Sequence, residues 1–242
     1  MITSSHLSKS FNGRPVLDDI NLEIKDRETL VILGPSGQGK TVFIKTLARL
    51  IRPDAGTVFY DSQDIFRLRV REFRELQKRN AFVFQANALF DFLDVRENLA
   101  LFLRMHDKLT ESDIEDRIRE SIGFVGLDPS VLTKYPEELS LGMGKRVAIS
   151  RALIIRPSVV FYDEPTSALD EGNVSVVTDL IASLREEVSA TSIIVTHDVD
   201  LMWRLADHVA LLRGGRIGFD GRKENLTEPM LKDLYSTGEN NV

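Results

Sequence analysis

A glycine-rich segment between an apolar run and an amphipathic stretch carries the clearest chemistry in the sequence. Residues 34–41 read Gly-Pro-Ser-Gly-Gln-Gly-Lys-Thr and fit the pattern G-x-x-x-x-G-K-[ST]. Glycines let the backbone curl so that several N–H groups point at one anion, and a following helix offers its N-terminus to it. Lys40 would neutralise phosphate oxygens, and the Thr41 hydroxyl would hold Mg²⁺. The predicted nucleotide contacts here are Gly34, Pro35, Ser36, Gly37, Gln38, Gly39, Lys40, Thr41 and Val42.

Two carboxylates end a second apolar run, in which residues 159–165 read Val-Val-Phe-Tyr-Asp-Glu-Pro. A carboxylate at the carboxyl end of a buried strand can hold Mg²⁺ beside a phosphate loop, and Asp163 is assigned that role. Glu164 can polarise water for attack on the terminal phosphate. A solvated turn is the alternative interpretation, and the presence of the phosphate loop disfavours it.

Alternating strand and helix patterns around these motifs predict an α/β fold. A helix is predicted from Lys40 to Leu50, with Phe43, Leu47 and Leu50 on its apolar face. Residues 86–155 read as mostly helical, with capping boxes at Asp94/Glu97 and Thr110/Asp113. Strands are predicted within residues 4–28 (joined by the turn at 12–13) and at 29–33, 81–84, 159–162, 192–196 and 208–212.

Composition excludes several classes of protein. A formal net charge of -6 over 242 residues disfavours a nucleic-acid-coating protein. The absence of cysteine excludes disulfides and thiolate metal sites. No stretch approaches the roughly 18 apolar residues of a membrane span, and the N-terminus lacks a signal-peptide core. We therefore expect any membrane role to come through a partner.

The order of the motifs resembles that of ATP-binding-cassette (ABC) ATPases over nearly the whole chain. Gln85 resembles the Q-loop glutamine, residues 167–170 (Ser-Ala-Leu-Asp) resemble the D-loop, and His197 resembles the switch histidine. Phe11 stands where these ATPases carry an aromatic that stacks on adenine, with Val16 nearby. A position in the core is the alternative for Phe11.

This resemblance implies an α/β fold: a P-loop NTPase core with a mostly parallel sheet, an N-terminal antiparallel β part and an inserted α-helical subdomain. Residues 1–242 would form a single ABC ATPase domain. Within it, 1–85 and 157–242 would form the nucleotide-binding core, and 86–156 the helical subdomain with the signature loop.

The resemblance also implies the ligands ATP and Mg²⁺ and a division of roles. The catalytic residues would be Glu164, His197 and Gln85, and the metal ligands Thr41, Gln85 and Asp163. Two copies would sandwich two ATP molecules head to tail. Each ATP would touch the phosphate loop of one copy and the signature and D-loop residues Ser140, Gly142 and Asp170 of the other.

The signature loop departs from the usual Leu-Ser-Gly-Gly-Gln, because residues 139–143 read Leu-Ser-Leu-Gly-Met. Ser140 still offers a hydroxyl, and Gly142 still allows close backbone approach. Leu141 is expected either to crowd the opposite phosphate or to oppose a positive φ. ATP binding is expected to survive, and the rate of turnover stays open between a fast ATPase and a slow or asymmetric one.

Residues 143–148 (Met-Gly-Lys-Arg-Val-Ala) resemble the signature variant of ABC ATPases from Mla/Mce lipid-trafficking systems. Residues 85–91, Tyr162 and the apolar stretch 95–103 agree with that subfamily. For the basic pair at 145–146, a solvated helix face is the alternative interpretation.

Residues 86–104 are expected to face a permease partner. Phe90 and Phe92 either dock its coupling helix or belong to the core. The leading interpretation is the ATPase of a transporter that moves lipid, in particular phospholipid, across the cell envelope. It would lie at the cytoplasmic side of the membrane with a permease, an Mce-type substrate-binding protein and a second copy of itself, and without nucleic acid. The alternatives are the ATPase of another ABC importer or envelope regulator, a soluble ABC protein and a small-molecule kinase.

Overall fold

The computed structural model describes residues 1–106 and 109–236, so the frayed tail expected at 239–242 lies outside the described residues. The strands in chain order are β1 (Ile2–Phe11), β2 (Arg14–Ile24), β3 (Thr29–Leu33), β4 (Ala55–Tyr60), β5 (Gln63–Asp64), β6 (Asn80–Val83), β7 (Val159–Asp163), β8 (Thr191–Thr196), β9 (His208–Arg213) and β10 (Arg216–Arg222). The α-helices are α1 (Lys40–Leu47), α2 (Val70–Gln77), α3 (Val95–His106), α4 (Glu111–Phe124), α5 (Leu141–Leu153), α6 (Glu171–Val188), α7 (Val199–Leu205) and α8 (Glu228–Tyr235).

The chain divides into two compact units. The first comprises Met1–Phe73 and the residues from Thr191 onward, and the second comprises Arg74–Ala190. No helix among the described residues has both the length and the apolar character needed to cross a membrane. The predicted boundaries of a helical subdomain at residues 86–156 remain a prediction.

The first unit contains an antiparallel sheet in the order β2-β1-β4-β5. Asn12 and Gly13 join β1 to β2 with φ angles of 51° and 75°, and Phe11 pairs with Arg14 across the turn. Two consecutive positive φ angles suit the two-residue turns whose twist matches the strands they connect. The predicted hairpin is therefore present.

The same unit contains the parallel strands of the predicted core. β3 pairs in parallel with β8 on one side and β9 on the other, and β10 pairs antiparallel with β9. All five residues of β3 and all six of β8 are buried. Such continuous burial is typical of parallel strands that are covered on both faces.

The second unit contains the parallel pair β6 and β7 together with α3, α4, α5 and α6. The capping box of α4 is complete, because Thr110 and Asp113 each accept a hydrogen bond from the other's backbone N–H. Asp94 accepts from the backbone N–H of Glu97, but the Glu97 carboxylate binds Arg104 instead of reaching back. The box predicted at α3 is thus half formed.

The structure corrects three local predictions. α1 ends at Leu47 instead of Leu50, because Arg49 adopts a left-handed φ of 55°, and Leu50 is 50% exposed instead of lying on the apolar face. Residues 86–94 form turns and loop instead of helix. Strands β4, β5 and β10 were not predicted from the sequence. β10 is an edge strand whose exposed positions alternate with half-buried ones, so its apolar pattern is weak.

Candidate functional site

The phosphate loop connects the buried end of β3 to the first turn of α1. Gly37 and Gly39 have φ angles of 78° and 98°, a region that side-chain-bearing residues rarely enter. A Cβ atom on Gly39 would lie 2.7 Å from the carbonyl oxygen of Val16 in β2. Gly39 is therefore needed both for its backbone conformation and for its close approach to the hairpin.

Lys40 lies inside the curl of this loop. Its side chain is buried, and Nζ donates hydrogen bonds to the carbonyl oxygens of Gly34 (2.7 Å) and Pro35 (3.0 Å). Thr41, one residue further along α1, is half-buried. A curled loop with an enclosed ammonium at a helix N-terminus suits the phosphates of a nucleotide with its Mg²⁺ ion.

His197 emerges at the same edge of the sheet as the phosphate loop. β3 and β8 run parallel in a register that pairs Leu33 with Thr196, so the residues that follow both strands share one edge. Gly34 N–H donates to the carbonyl oxygen of Thr196 at 3.3 Å, and Asp198 N–H donates to its hydroxyl at 3.0 Å. The switch turn and the phosphate loop are thereby tied together.

Phe11 is 44% exposed, so its alternative as a core residue is wrong. The ammonium of Lys9 lies 5.2 Å from the centre of the Phe11 ring, a cation–π distance. Val16 is half-buried further along the hairpin. An exposed ring of this kind is compatible with stacking on a base, and the adenine contact stays a prediction.

In the second unit, the two predicted carboxylates are buried. Asp163 ends β7 with 2% exposure, and Glu164 follows with 8%. The solvated turn considered as an alternative is therefore wrong. Glu164 also adopts a left-handed φ of 48°, which is unfavourable for a residue with a side chain and occurs at sites where neighbouring structure enforces it.

A buried lysine links these carboxylates to the Q-loop segment. Lys145 in α5 is 3% exposed, and its Nζ donates to the carbonyl oxygen of Gln85 at 2.5 Å. Burial lowers the pKa of Lys145, while the negative charges of Asp163 and Glu164 act in the opposite direction. The interpretation of Lys145 as part of a solvated helix face is therefore wrong.

α5 holds the Q-loop segment at further points. Arg151 donates to the carbonyl oxygens of Asn87 (2.8 Å) and Ala88 (2.5 Å). A Cβ on Gly144 would lie 2.7 Å from the Asn87 amide nitrogen. Arg146 is half-buried and donates to the carbonyl oxygen of Gly126 at 3.1 Å. The basic residues of α5 thus bind backbone carbonyls.

The signature loop begins α5. Ser140 is its N-cap, and its hydroxyl accepts from the Met143 N–H at 3.3 Å. Leu141 is the first residue of α5, and its backbone does not adopt a positive φ. Its side chain is 64% exposed. The backbone strain considered for Leu141 is therefore absent, and only crowding of an opposite ligand remains as its predicted effect.

Gly142 lies against Asn173 in the first turn of α6. A Cβ on Gly142 would lie 2.2 Å from the side-chain oxygen of Asn173. The Asn173 side-chain N–H donates to the carboxylate of Asp170, the N-cap of α6, at 2.7 Å. Asn173 thus joins the signature and D-loop segments within the second unit.

Residues 17–167 match the family described as ABC transporter. The chain belongs to this family. ATP with Mg²⁺ is accordingly its ligand, as predicted from the sequence.

The curated relatives belong to several transport systems. The probable ribonucleotide transport ATP-binding protein mkl of Mycobacterium leprae is 37% identical over 95% of this chain and 67% of its own length. The intermembrane phospholipid transport system ATP-binding protein MlaF of Haemophilus influenzae is 33% identical over 94% of this chain and 86% of its own length. The sulfate/thiosulfate import ATP-binding protein CysA of Pseudomonas aeruginosa is 38% identical over 88% of this chain and 64% of its own length. The chain thus spans about two thirds of the length of the mkl and CysA relatives. The MlaF relative confirms the predicted resemblance to an Mla-type ATPase.

Solved ABC cassettes share the fold. A dimeric post-hydrolysis state of the ATP-binding cassette MJ0796, bound to ADP and Pi, superposes with a TM-score of 0.84 at 28% identity, covering 92% of this chain and 98% of that one. The structure of cbiO1 from Clostridium perfringens gives a TM-score of 0.82 at 29% identity, covering 96% of this chain and 92% of that one. The predicted ABC ATPase fold class is confirmed.

Asn173 and Arg151 were not singled out from the sequence. Lys145 was named within the signature variant, with a solvated helix face as the alternative. The burial of a lysine in a basic, polar stretch depends on the carbonyl groups of a distant loop, and these are not visible in a local pattern. The run Val147-Ala148-Ile149 beside Lys145 was the available signal, because an apolar run marks that part of α5 as buried.

Proposed function

We propose that this chain hydrolyses ATP as one of two identical subunits that drive an ABC permease. The observation that carries the proposal is the shared sheet edge in the first unit. There the enclosed Lys40 ammonium and the exposed His197 follow neighbouring parallel strands. Buried Asp163 and Glu164 at the end of β7 support it, because paired carboxylates of this kind suit metal holding and base catalysis.

In the proposed mechanism, the phosphate loop and Lys40 orient the phosphates of ATP. Thr41, Gln85 and Asp163 would hold Mg²⁺, which neutralises charge on the phosphate oxygens when bound. Glu164 accepts the proton of the attacking water, and His197 contacts the terminal phosphate. Phe11 stacks on the adenine, with Val16 nearby. Positioning and charge stabilisation account for most of the catalysis of phosphoryl transfer.

The second copy completes each site in this proposal. Ser140 and Gly142 at the start of α5, with Asp170 at the start of α6, would face the ATP held by the other subunit. An exposed N-cap hydroxyl at a helix N-terminus suits an anion. The dimeric MJ0796 cassette supports this arrangement by analogy. ATP binding then favours the closed pair, and hydrolysis releases it.

We expect Leu141→Gly to raise the maximal rate of ATP hydrolysis by about two- to tenfold, because the exposed leucine side chain would no longer crowd the ATP of the other subunit. Steady-state hydrolysis against protein concentration measures this effect. Val176→Gly, which also removes an exposed aliphatic side chain in the same unit, is the control and is expected to bring no gain. An unchanged rate in Leu141→Gly would show that this leucine is accommodated.

A surface loop suits the coupling element of a permease. Phe90 and Phe92 are 44% and 76% exposed with ring centres 5.7 Å apart, so their alternative as core residues is wrong. Buried Asn98 holds the loop, because its side chain binds both backbone groups of Phe90 and the carbonyl oxygens of Leu93 and Asp94. A rigid loop that presents two aromatic side chains is typical of a protein-binding surface.

Phe92→Asp is expected to reduce co-purification with the permease at least tenfold while the isolated chain binds ATP normally. Truncating a central aromatic anchor commonly costs about 2 kcal/mol or more, and an added charge adds a desolvation cost. Pull-down from co-expressing cells measures the effect. Val70→Asp alters a residue of similar exposure (68%) and should leave the complex intact. Equal losses in both variants would contradict a specific role for Phe92.

We further propose that the transported substrate is lipid, in particular phospholipid. The support is the MlaF relative and residues 143–148, which match the Mla/Mce signature variant. The chain would then lie at the cytoplasmic side of the inner membrane through the permease, with an Mce-type partner. The CysA relatives favour a second candidate, an importer of small anions such as sulfate.

The test uses the chain co-expressed with its permease partner and reconstituted in phospholipid vesicles. ATP-dependent movement of labelled phospholipid, with no uptake of labelled sulfate, is the expected result. Sulfate uptake without lipid movement would replace the lipid assignment with the second candidate. If the complex and the isolated chain both bind ATP without hydrolysing it, the chain is a regulatory nucleotide-binding subunit and the motor function is wrong.

A further inference from the structure

The last described helix reaches back to the turn that carries His197. Tyr235, at the end of α8, donates a hydrogen bond from its hydroxyl to the carbonyl oxygen of His197 at 3.0 Å. The two residues are 38 positions apart in the chain. The ring of Tyr235 is 40% exposed, so the tyrosine contributes modestly to the core and its hydroxyl has a specific partner.

α8 is held in place by Arg213 at the end of β9. The Arg213 guanidinium donates to the carbonyl oxygens of Asp233 (2.5 Å) and Ser236 (2.8 Å). Carbonyl groups at a helix C-terminus lack partners within the helix, and a cation there is favourable. Leu234 is buried and anchors the apolar side of the helix. The position of Tyr235 is therefore set by β9 as well as by its own helix.

The residue after Arg213 contacts the phosphate loop. Gly214 N–H donates to the side-chain oxygen of Gln38 at 2.6 Å. The turn between β9 and β10 thus binds the phosphate loop through Gly214 and α8 through Arg213, and α8 binds the switch turn through Tyr235. The hydrogen bond from Gly34 to Thr196 joins the phosphate loop to the switch turn, so these contacts connect all four segments of the first unit.

We propose that Tyr235 is a positioning residue for His197, and that the C-terminal helix α8 thereby sets the rate of ATP hydrolysis. The proposal rests on the hydrolytic function and on the role of His197 proposed above. A hydrogen bond to the His197 carbonyl restricts the backbone torsions that aim the imidazole. Catalysis is sensitive to small displacements of a reacting group, so loss of this restraint lowers the rate of the chemical step.

Tyr235→Phe is expected to lower kcat about two- to tenfold with an unchanged KM for ATP, since the missing hydrogen bond, of ordinary strength, positions a side chain that acts in the chemical step and not in ATP binding. Tyr60→Phe is the matched control. It removes a tyrosine hydroxyl that also donates to a backbone carbonyl, that of Leu47 at 3.1 Å, but in a buried site. Tyr60→Phe should lower the melting temperature and leave kcat unchanged. Tyr235→Phe should lower kcat and leave the melting temperature unchanged.

Combined variants show whether Tyr235 acts through His197. In a His197→Ala background, Tyr235→Phe should cause no further loss, because the positioned imidazole is already absent. Arg213→Gln should reproduce the loss of Tyr235→Phe and should not add to it. Asp233→Asn removes only the carboxylate that lies 3.3 Å from Arg213 and keeps the backbone contacts, so it should be neutral. Additive losses in these pairs would overturn the proposal.

A spectroscopic measurement on the nucleotide-free chain tests the contact without hydrolysis. Labelling histidine at the carbonyl carbon and aspartate at nitrogen selects only two peptide groups, His106–Asp107 and His197–Asp198. Tyr235→Phe should move the carbonyl signal of the second pair and leave the first unchanged. An unmoved signal, or a wild-type kcat in Tyr235→Phe while His197→Ala is impaired, overturns this proposal and leaves the proposed function standing. A wild-type chain no faster than Glu164→Gln overturns the proposed function itself.

Discussion

Glu164→Gln is expected to lower ATP hydrolysis at least about 100-fold while ATP binding remains close to wild type. An amide has nearly the same shape as the carboxylate but cannot accept the proton of the attacking water, and general-base groups contribute about 10²- to 10⁴-fold. Glu164 is buried and adopts a left-handed φ, so the substituted side chain is confined to the same place. Asp163, the proposed metal ligand, is unchanged.

Hydrolysis by the purified chain and by its complex with the permease gives the first measurement, and nucleotide titration gives the second. Glu186→Gln, which neutralises an exposed carboxylate in the same unit, is the control and should keep full activity. ATP should also trap the Glu164→Gln chain as a dimer in size-exclusion chromatography, because the closed pair no longer breaks down. Substantial residual hydrolysis would assign the base to another residue.

Gly142→Ala is expected to lower ATP hydrolysis about tenfold or more. A Cβ at this position would lie 2.2 Å from the side-chain oxygen of Asn173, so either Asn173 or the start of α5 must move. Movement of α5 displaces Ser140, and movement of Asn173 breaks its hydrogen bond to Asp170. Both changes disturb residues proposed to contact the ATP of the second copy.

A double-mutant cycle separates these contacts from a direct clash with ATP. Asn173→Ala removes the obstructing oxygen, so Gly142→Ala with Asn173→Ala should be faster than Gly142→Ala alone, with a coupling free energy of about 1–3 kcal/mol. Gly123→Ala is the control, because no atom lies within 4 Å of its added Cβ. If the double variant is as slow as Gly142→Ala, the added methyl acts on the opposite ATP and not on Asn173.

Local patterns in the sequence were sufficient for several of the elements and for the class of ligand. Residues 30–33 are one continuous apolar run, and the strand Thr29–Leu33 contains them. The glycine-rich loop was recognisable because its backbone conformation needs particular residues at a fixed spacing. The box formed by Thr110 and Asp113 was predictable for the same reason, since both partners lie within one helical turn.

Tertiary contacts decided the residues whose environment depends on distant parts of the chain. Leu50 fits the helical period, yet α1 ends before it and leaves the side chain half exposed. Lys145 belongs to a basic stretch of α5, but the carbonyl oxygen of Gln85, 60 residues away, gives its buried ammonium a partner. Hydropathy describes the side chain alone and does not include the groups that surround it after folding.

The order of motifs along the chain determined the family and the ligand, because each motif is a short segment with its own geometric requirement. Contacts between segments were decided only by the fold. Asn173 against Gly142 and Tyr235 against His197 join residues 31 and 38 positions apart, and no local periodicity marks either pair. The physical reason is that these side chains are placed by the packing of whole helices and strands, which arises when distant apolar faces are buried together.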